Sequence, residues 1–155
     1  MGSSLARVIS TWFGCGYAPK APGTVGSAGA VAAAVALHVW AGFGPWHFLA
    51  LSALVFAPFV WAASRTAADL HLEDPQIVVA DEVIGVWVSL AGARELNWKA
   101  WLGAFVLFRL FDIWKPAPVR QFERFPGGFG IVADDVMAGI YAALVLFLAG
   151  CFNLY

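Results

Sequence analysis

The sequence predicts an all-α fold: a polytopic membrane helical bundle in which residues 1–155 form a single membrane-embedded domain, with about five transmembrane or partly inserted helices. Hydrophobic residues make up 61% of the chain and charged residues only 12%, against roughly half and a quarter in soluble globular proteins. The apolar residues form long runs, and the few charges gather near the ends of those runs. A soluble fold of this size could not bury so much apolar surface, so a bilayer is the expected solvent.

Five runs have about the length, roughly 17–25 residues, that an apolar helix needs to cross the hydrocarbon core. These runs cover residues 24–40, 46–63, 76–93, 98–114 and 131–151. The third and fourth runs are short, so partial insertion or a locally thinned bilayer stays open for them.

The loop "GYAPKAPGTVGS" precedes the first run. Pro22 and Gly23 predict a turn, and Thr24 is expected to cap the helix that follows. Free N–H groups at a helix N-terminus, with Lys20 beside them, suit an anion such as phosphate. An ordinary capped turn is the alternative interpretation of this loop.

The third run begins in "HLEDPQIVVADEVIG". Asp74 and Pro75 have the residue types of an N-cap and a first helical position. A helix that starts there places Asp81 about two turns, roughly 10 Å, along its axis. A carboxylate at that depth costs on the order of 3 kcal/mol, and its neighbour Glu82 adds a like charge. Acids that simply hydrate at a helix start are the alternative interpretation.

The fourth run ends in "VLFRLFDIWKPAPVR", where Arg109, Asp112 and Lys115 recur every three residues and share a helix face. Pro116 is expected to end or kink this helix just after Lys115. The alternative is a pair of basic anchors at a span end, with Asp112 as their local partner.

The fifth run follows the glycine-rich loop "FPGGFG" and carries "VADDV", which nearly repeats the "VADEV" of the third run. Asp134 and Asp135 are therefore predicted in the first turn of the last helix. The loop could close over a site or merely join two helices.

The basic residues predict an orientation. Arg7, Lys20 and Arg65 flank the first helical hairpin, whose connecting turn "AGFGPWH" contains no Lys or Arg. The positive-inside rule then gives a cytoplasmic N-terminus, with seven basic residues inside and Arg94 and Lys99 outside. The predicted outer aromatic belt contains Trp40, Trp46, Trp98 and Trp101, and the inner one contains Trp61 and Trp114. Nearly all the reactive side chains are thereby predicted at the cytoplasmic interface.

Several acidic oxygens with Lys and Arg nearby, and no cluster of thiolates or imidazoles, suit a hard cation such as Mg²⁺. Such an ion compensates buried negative charge, orients a phosphoryl group and can activate water for in-line attack. Arg and Lys would stabilise the equatorial phosphoryl oxygens. The net charge of −1 argues against nucleic acid as a partner, and the distant Cys15 and Cys151 predict neither a metal site nor a disulfide.

Four motifs occur in an order that resembles the phosphatidylglycerophosphatase A family: "PGTVGS", "DEVIG", "FRLFDIWKPAPVRQFE" and "GGFGIVADDVMAG". The resemblance covers about residues 14–141. It implies an all-helical, multi-pass protein of the bacterial inner membrane with its active site facing the cytoplasm. It also implies Mg²⁺-dependent hydrolysis of phosphatidylglycerophosphate to phosphatidylglycerol and phosphate.

With the residue chemistry above, the resemblance predicts the roles of individual residues. The predicted catalytic residues are Asp81, Glu82 and Asp134; the phosphate-binding residues are Lys20, Thr24, Arg109 and Lys115; and the metal ligands are Asp81, Glu82, Asp112, Asp134 and Asp135. Direct attack by water activated at Mg²⁺ is favoured because the signatures of aspartyl-phosphate, cysteine and histidine phosphatases are missing. A covalent carboxylate intermediate stays open.

The lipid is expected to enter sideways between helices lined by Trp87 and Phe108, and a homo-oligomer is left open. A small cation-coupled transporter is the alternative function, because it also places acids inside helical spans. Transporter sites usually lie near the midplane, whereas these acids cluster toward one side. A non-catalytic scaffold gives no reason for that clustering, so an enzyme is favoured.

Overall fold

The computed structural model describes residues 2–155, and every regular element in that range is helical. Met1, the first residue of the predicted domain, lies outside the described residues. In chain order the elements are α1 (Gly2–Ser10), a 3₁₀ turn (Cys15–Tyr17), α2 (Pro22–Ala41), α3 (Pro45–Leu70), α4 (Ala80–Leu90), α5 (Trp98–Trp114), α6 (Val119–Phe122) and α7 (Gly127–Cys151). The predicted all-α class is confirmed.

Three helices, α2, α3 and α7, are long and apolar enough to cross a membrane by length and composition. They contain the first, second and fifth predicted runs. Helix α5 has the predicted bounds of the fourth run and is roughly 25 Å long, whereas α4 has 11 residues and is roughly 16 Å long. Large apolar side chains are exposed along the spanning helices, among them Trp40, Leu54, Trp61, Leu144 and Leu148. This is the surface of a membrane protein.

Helix α4 begins five residues later than the sequence predicts. The Val78 N–H donates to Pro75 O at 2.9 Å, which makes a turn, and the Val79 N–H donates to Ser10 O at 2.8 Å. The prediction that Asp74 caps a helix starting at Pro75 is therefore wrong, because the end of α1 holds this segment out of the helix. Asp81 consequently lies in the first turn of α4 rather than two turns inside it.

Helix α7 begins four residues earlier than predicted. The glycines of "FPGGFG" continue the helix because Gly128 packs against α3, where its N–H donates to Ser64 Oγ at 2.9 Å. Asp134 and Asp135 therefore lie about two turns inside α7, not in its first turn. The predicted relative depths of the two acidic pairs are reversed.

The predicted cap of the first spanning helix is also wrong. Helix α2 begins at Pro22, and its N-cap is Ala21, which makes no side-chain capping bond. Thr24 lies exposed in the first turn of the helix.

The short helix α4 is the centre of the bundle, packed among α2, α3, α5 and α7. The indole N–H of Trp87 donates to Ala30 O at 3.1 Å and joins α4 to α2. Trp87 and Phe108 are both buried. Phe108 lies against Gly85, and Trp87 borders a separate apolar groove near Trp40. Neither side chain lines an opening into the acidic region, so the predicted lipid entry between them is wrong.

Helices α4 and α7 pack very closely at Gly139. A Cβ at this position would lie 2.5 Å from Gly85 O and 3.1 Å from Val88 Cβ. Because Gly139 has no side chain, α4 and α7, the two helices that carry the acidic pairs, can pack at this short distance.

We expect Gly139→Ala to lower the free energy of unfolding by about 1–3 kcal/mol, the usual cost of overpacking, although Ala favours a helix more than Gly does. The matched control is Gly103→Ala, because a Cβ there meets only the end of the Leu146 side chain, at 3.1 Å, and no backbone atom. Thermal unfolding of the detergent-solubilised protein measures both changes. Equal shifts of the unfolding midpoint would contradict the close-packing argument.

Candidate active site

A cavity of about 1100 Å³ opens at one end of the bundle, where α2, α4 and α7 begin and α3 and α5 end. Its acidic lining residues are Glu73, Asp74, Asp81, Glu82, Asp112, Glu123, Asp134 and Asp135, and its basic ones are Arg109, Lys115 and Arg124. With every group ionised, the lining carries five more negative charges than positive ones. The predicted convergence of the acidic side chains at one end of the helices is confirmed.

Three carboxylates form the centre of this cavity. Oxygen atoms of Asp81, Glu82 and Asp135 all lie within 4.8 Å of one another. The first two residues belong to the first turn of α4, and Asp135 comes from α7, so the two similar acidic motifs meet. We call these three residues the carboxylate cluster.

The carboxylate cluster has the properties of a site for a hard divalent cation. Asp81 Oδ1 and Glu82 Oε2 are buried and have no hydrogen-bond partner in the described structure. A buried acceptor without a partner is costly, and a bound cation would satisfy both oxygens. Carboxylate oxygens are also the protein ligands that Mg²⁺ prefers. The side chains present therefore fit that ion.

Arg109 joins the carboxylate cluster to the end of α5. Its Nη1 atom contacts Asp112 Oδ2 at 2.5 Å and Glu82 Oε1 at 3.9 Å. The start of α2 covers this group, since a Cβ on Gly23 would clash with Glu82 Oε1 and lie 3.2 Å from Arg109 Nη1. The glycine of "PGTVGS" thus leaves the space that the Glu82 side chain occupies.

Lys115 directs its side chain into the same cavity from the residue that ends α5. Its backbone is left-handed, with φ 47°, and its ammonium group donates to Asp134 Oδ2 at 2.7 Å and to Glu123 Oε1 at 3.1 Å. Burial acts to lower the pKa of Lys115, but the hydrogen bonds and charges of Asp134 and Glu123 outweigh it and raise the pKa above its usual value. Lys115 is therefore cationic at neutral pH.

The predicted five-carboxylate ligand set divides into two groups. Asp81, Glu82 and Asp135 form the carboxylate cluster, whereas Asp112 and Asp134 pair with basic side chains. The structure also leaves two predicted phosphate-binding residues outside the cavity. Lys20 and Thr24 are exposed and do not line it, although Ala21, Pro22 and Gly23 between them do.

Sequence reasoning missed four charged residues of the cavity wall: Glu73, Asp74, Glu123 and Arg124. The sequence predicts Asp74 as a helix cap, and Glu123 and Arg124 belong to the segment that joins α6 to α7. Glu123 ends the motif "FRLFDIWKPAPVRQFE", which was the only signal for this segment. Its approach to the cavity depends on the turn after Pro116, which sequence spacing does not define.

Comparison with known proteins supports one family. A family model described as phosphatidylglycerophosphatase A matches residues 8–150. The chain is 42% identical to the phosphatidylglycerophosphatase A of Haemophilus influenzae over 143 residues, covering 91% of this chain and 86% of the relative. It is 35% identical to the Escherichia coli protein of the same name over 146 residues, covering 93% and 83%.

A further relative carries a different name. A Bacteroides thetaiotaomicron protein provisionally named a phosphatidylinositol-3-phosphatase is 40% identical over 151 residues, covering 95% of this chain and 94% of the relative. No solved structure matches the chain.

We expect Lys115→Met to lower the free energy of unfolding by about 3 kcal/mol, because it leaves the nearly buried Asp134 without its cation. The matched control is Glu123→Gln, which removes the half-exposed partner of the same lysine and should cost at most about 1 kcal/mol. Thermal unfolding in the presence of a chelator measures both values.

The double variant Lys115→Met/Asp134→Asn should recover most of the loss, since no unpaired charge is left. Additive losses in the double variant would contradict the pairing.

Proposed function

Because this chain belongs to the phosphatidylglycerophosphatase A family, we propose that it hydrolyses phosphatidylglycerophosphate to phosphatidylglycerol and phosphate, with Mg²⁺ as cofactor. The observation that carries this proposal is the carboxylate cluster, which lies beside Arg109 and Lys115 in one cavity. The chemistry is that of a phosphoric monoester hydrolase of the bacterial inner membrane, with its active site on the cytoplasmic side.

The charge of the cavity supports a cation-dependent reaction. A phosphorylated headgroup is repelled by a lining with five excess negative charges, and the repulsion is strong where little water screens it. Asp81, Glu82 and Asp135 would hold Mg²⁺, which when bound polarises the phosphoryl group and makes a water molecule more acidic. The protein then needs few further cations of its own to accept the anion.

The remaining charged residues have separate tasks in this proposal. Arg109 and Lys115 would donate to the oxygens of the terminal phosphate as negative charge builds up on them. Asp134 lies outside the carboxylate cluster and accepts from Lys115 through Oδ2. Its other oxygen, Oδ1, would take the proton from the attacking water.

The position of the cavity suits a lipid substrate. It opens where the spanning helices begin and end, so the acyl chains can stay among lipids while the phosphorylated headgroup enters. Arg65, Lys115 and Arg120 lie at this end, and Arg94 and Lys99 precede or begin α5 at the other. This distribution supports the cytoplasmic orientation through the positive-inside rule.

Phosphate release from phosphatidylglycerophosphate tests the proposed function. Wild-type protein should be active with Mg²⁺ and inactive in excess chelator, and Asp81→Asn and Asp134→Asn should each lose about 100-fold or more in kcat. The matched control is Glu95→Gln, which neutralises an exposed carboxylate between α4 and α5. Phosphatidylinositol 3-phosphate, assayed in parallel, shows how far the headgroup range extends. Activity that survives chelation, or full activity in both Asn variants, would contradict the proposed cation site and its catalytic residues.

The stereochemistry at phosphorus tests direct attack. An isotopically chiral terminal phosphate should be released with inverted configuration, because water displaces the lipid alcohol in a single step. Phosphorus NMR of the released phosphate measures the configuration. Retention would establish a covalent carboxylate intermediate, since two successive displacements restore the configuration.

A further inference from the structure

The three basic residues of the cavity differ in their partners. Arg109 contacts Asp112 and Glu82, and Lys115 contacts Asp134 and Glu123. Arg124 also lines the cavity, but within the described part of the chain its side chain makes no ion pair. Among the described residues, its guanidinium group is therefore the cation of this cavity that no carboxylate pairs with.

The backbone around Arg124 is held firmly to the active site. Phe125 O packs so closely against Gly130 that a Cβ there would clash with it and would lie 3.1 Å from Glu123 O. The Phe125 ring also meets the Phe129 ring edge-on, with centroids 5.5 Å apart. On the other side of the segment, Lys115 donates to Glu123. These contacts fix the backbone at Arg124 relative to the groups that surround the carboxylate cluster, while its side chain is exposed.

The substrate of the proposed reaction carries two phosphates, and only one of them reacts. The terminal monoester belongs at the carboxylate cluster, where Arg109 and Lys115 are available. The diester is separated from it by a glycerol unit, keeps its own negative charge, and remains nearer the mouth of the cavity because the acyl chains leave there. That second charge lies beside an acidic wall, so it needs a cation that is not already paired.

We propose that Arg124 is a specificity-determining residue that binds the diester phosphate of the lipid headgroup. This inference rests on the proposed function and extends it, because it defines the substrate class as phosphomonoesters joined to a second, diester phosphate. Arg124 acts on the part of the substrate that does not react. Its contribution is to binding and selectivity, whereas the carboxylate cluster serves the monoester common to all phosphorylated lipids.

Arg124→Gln should lower kcat/KM for phosphatidylglycerophosphate in mixed micelles by about 10- to 100-fold, the loss expected for a charge-assisted contact, mainly through KM. The inhibition constant of inorganic phosphate, which probes the monoester subsite alone, should stay unchanged. Arg124→Lys should recover part of the loss. The matched control is Arg120→Gln, which removes an exposed arginine of α6 that does not line the cavity and should leave both constants unchanged.

The outcomes separate this inference from the function on which it rests. No phosphate release by the wild-type protein overturns the proposed function. Wild-type activity with an unchanged kcat/KM in Arg124→Gln overturns only the diester subsite. An equal weakening of kcat/KM and of inhibition by inorganic phosphate also overturns the diester subsite. Arg124 would then bind the monoester or stabilise the fold.

Discussion

An excess of carboxylates at one end of an apolar bundle is the constraint on which the rest of this structure depends. Charges inside a low-dielectric protein repel one another strongly and are costly to remove from water. The chain meets part of this cost with two basic side chains, since Arg109 neutralises Asp112 and Lys115 neutralises Asp134. The N-terminus of α4 contributes partial positive charge beside Asp81 and Glu82. What is left is the carboxylate cluster, in which Asp81 Oδ1 and Glu82 Oε2 have no hydrogen-bond partner in the described structure.

The short helix α4 places its acidic residues in the cavity instead of in the lipid. A full-length span in its place would carry its acids into the lipid or leave its first turn in water. Because the 75–79 turn is held by Ser10 O, α4 starts at the cavity, with both of its acids in the first turn. The rest of the helix is buried among α2, α3, α5 and α7, and the missing side chain at Gly139 lets α7 bring Asp135 alongside.

The sequence predicts those elements whose ends are encoded locally. Helix α5 has the predicted bounds because Asn97 caps its first N–H groups and Pro116 follows its end. The sequence predicts α4 too long, because Asp74 and Pro75 resemble a helix start while the hydrogen bond from Val79 to Ser10 O keeps this segment out of the helix. The meeting of the acidic pairs was predictable from helix polarity, but the division of the acids into paired and unpaired groups was not, because it depends on where each side chain finds its cation. In the sequence of a membrane protein, an apolar residue of the core and one that faces lipid look alike, so the sequence also predicts a lipid path along Trp87, which is buried.

The charged residues of the site have different partners, and this difference explains why the site contains many acidic and few basic side chains. A lysine or arginine in the carboxylate cluster would satisfy Asp81 and Glu82 permanently, and the cavity would then have no place for an exchangeable cation. Lys115 pairs with Asp134 and Glu123, and Arg109 contacts Asp112 more closely than Glu82. The fold thus keeps three carboxylates together, with Asp81 Oδ1 and Glu82 Oε2 unpartnered in the described structure. In the proposed reaction the bound cation would offset the negative charge that excludes the anionic headgroup, and the phosphate oxygens would complete the coordination of the ion, so their binding is coupled. Burial makes three adjacent carboxylates unfavourable on their own, and the same burial would favour a divalent ion accompanied by phosphate.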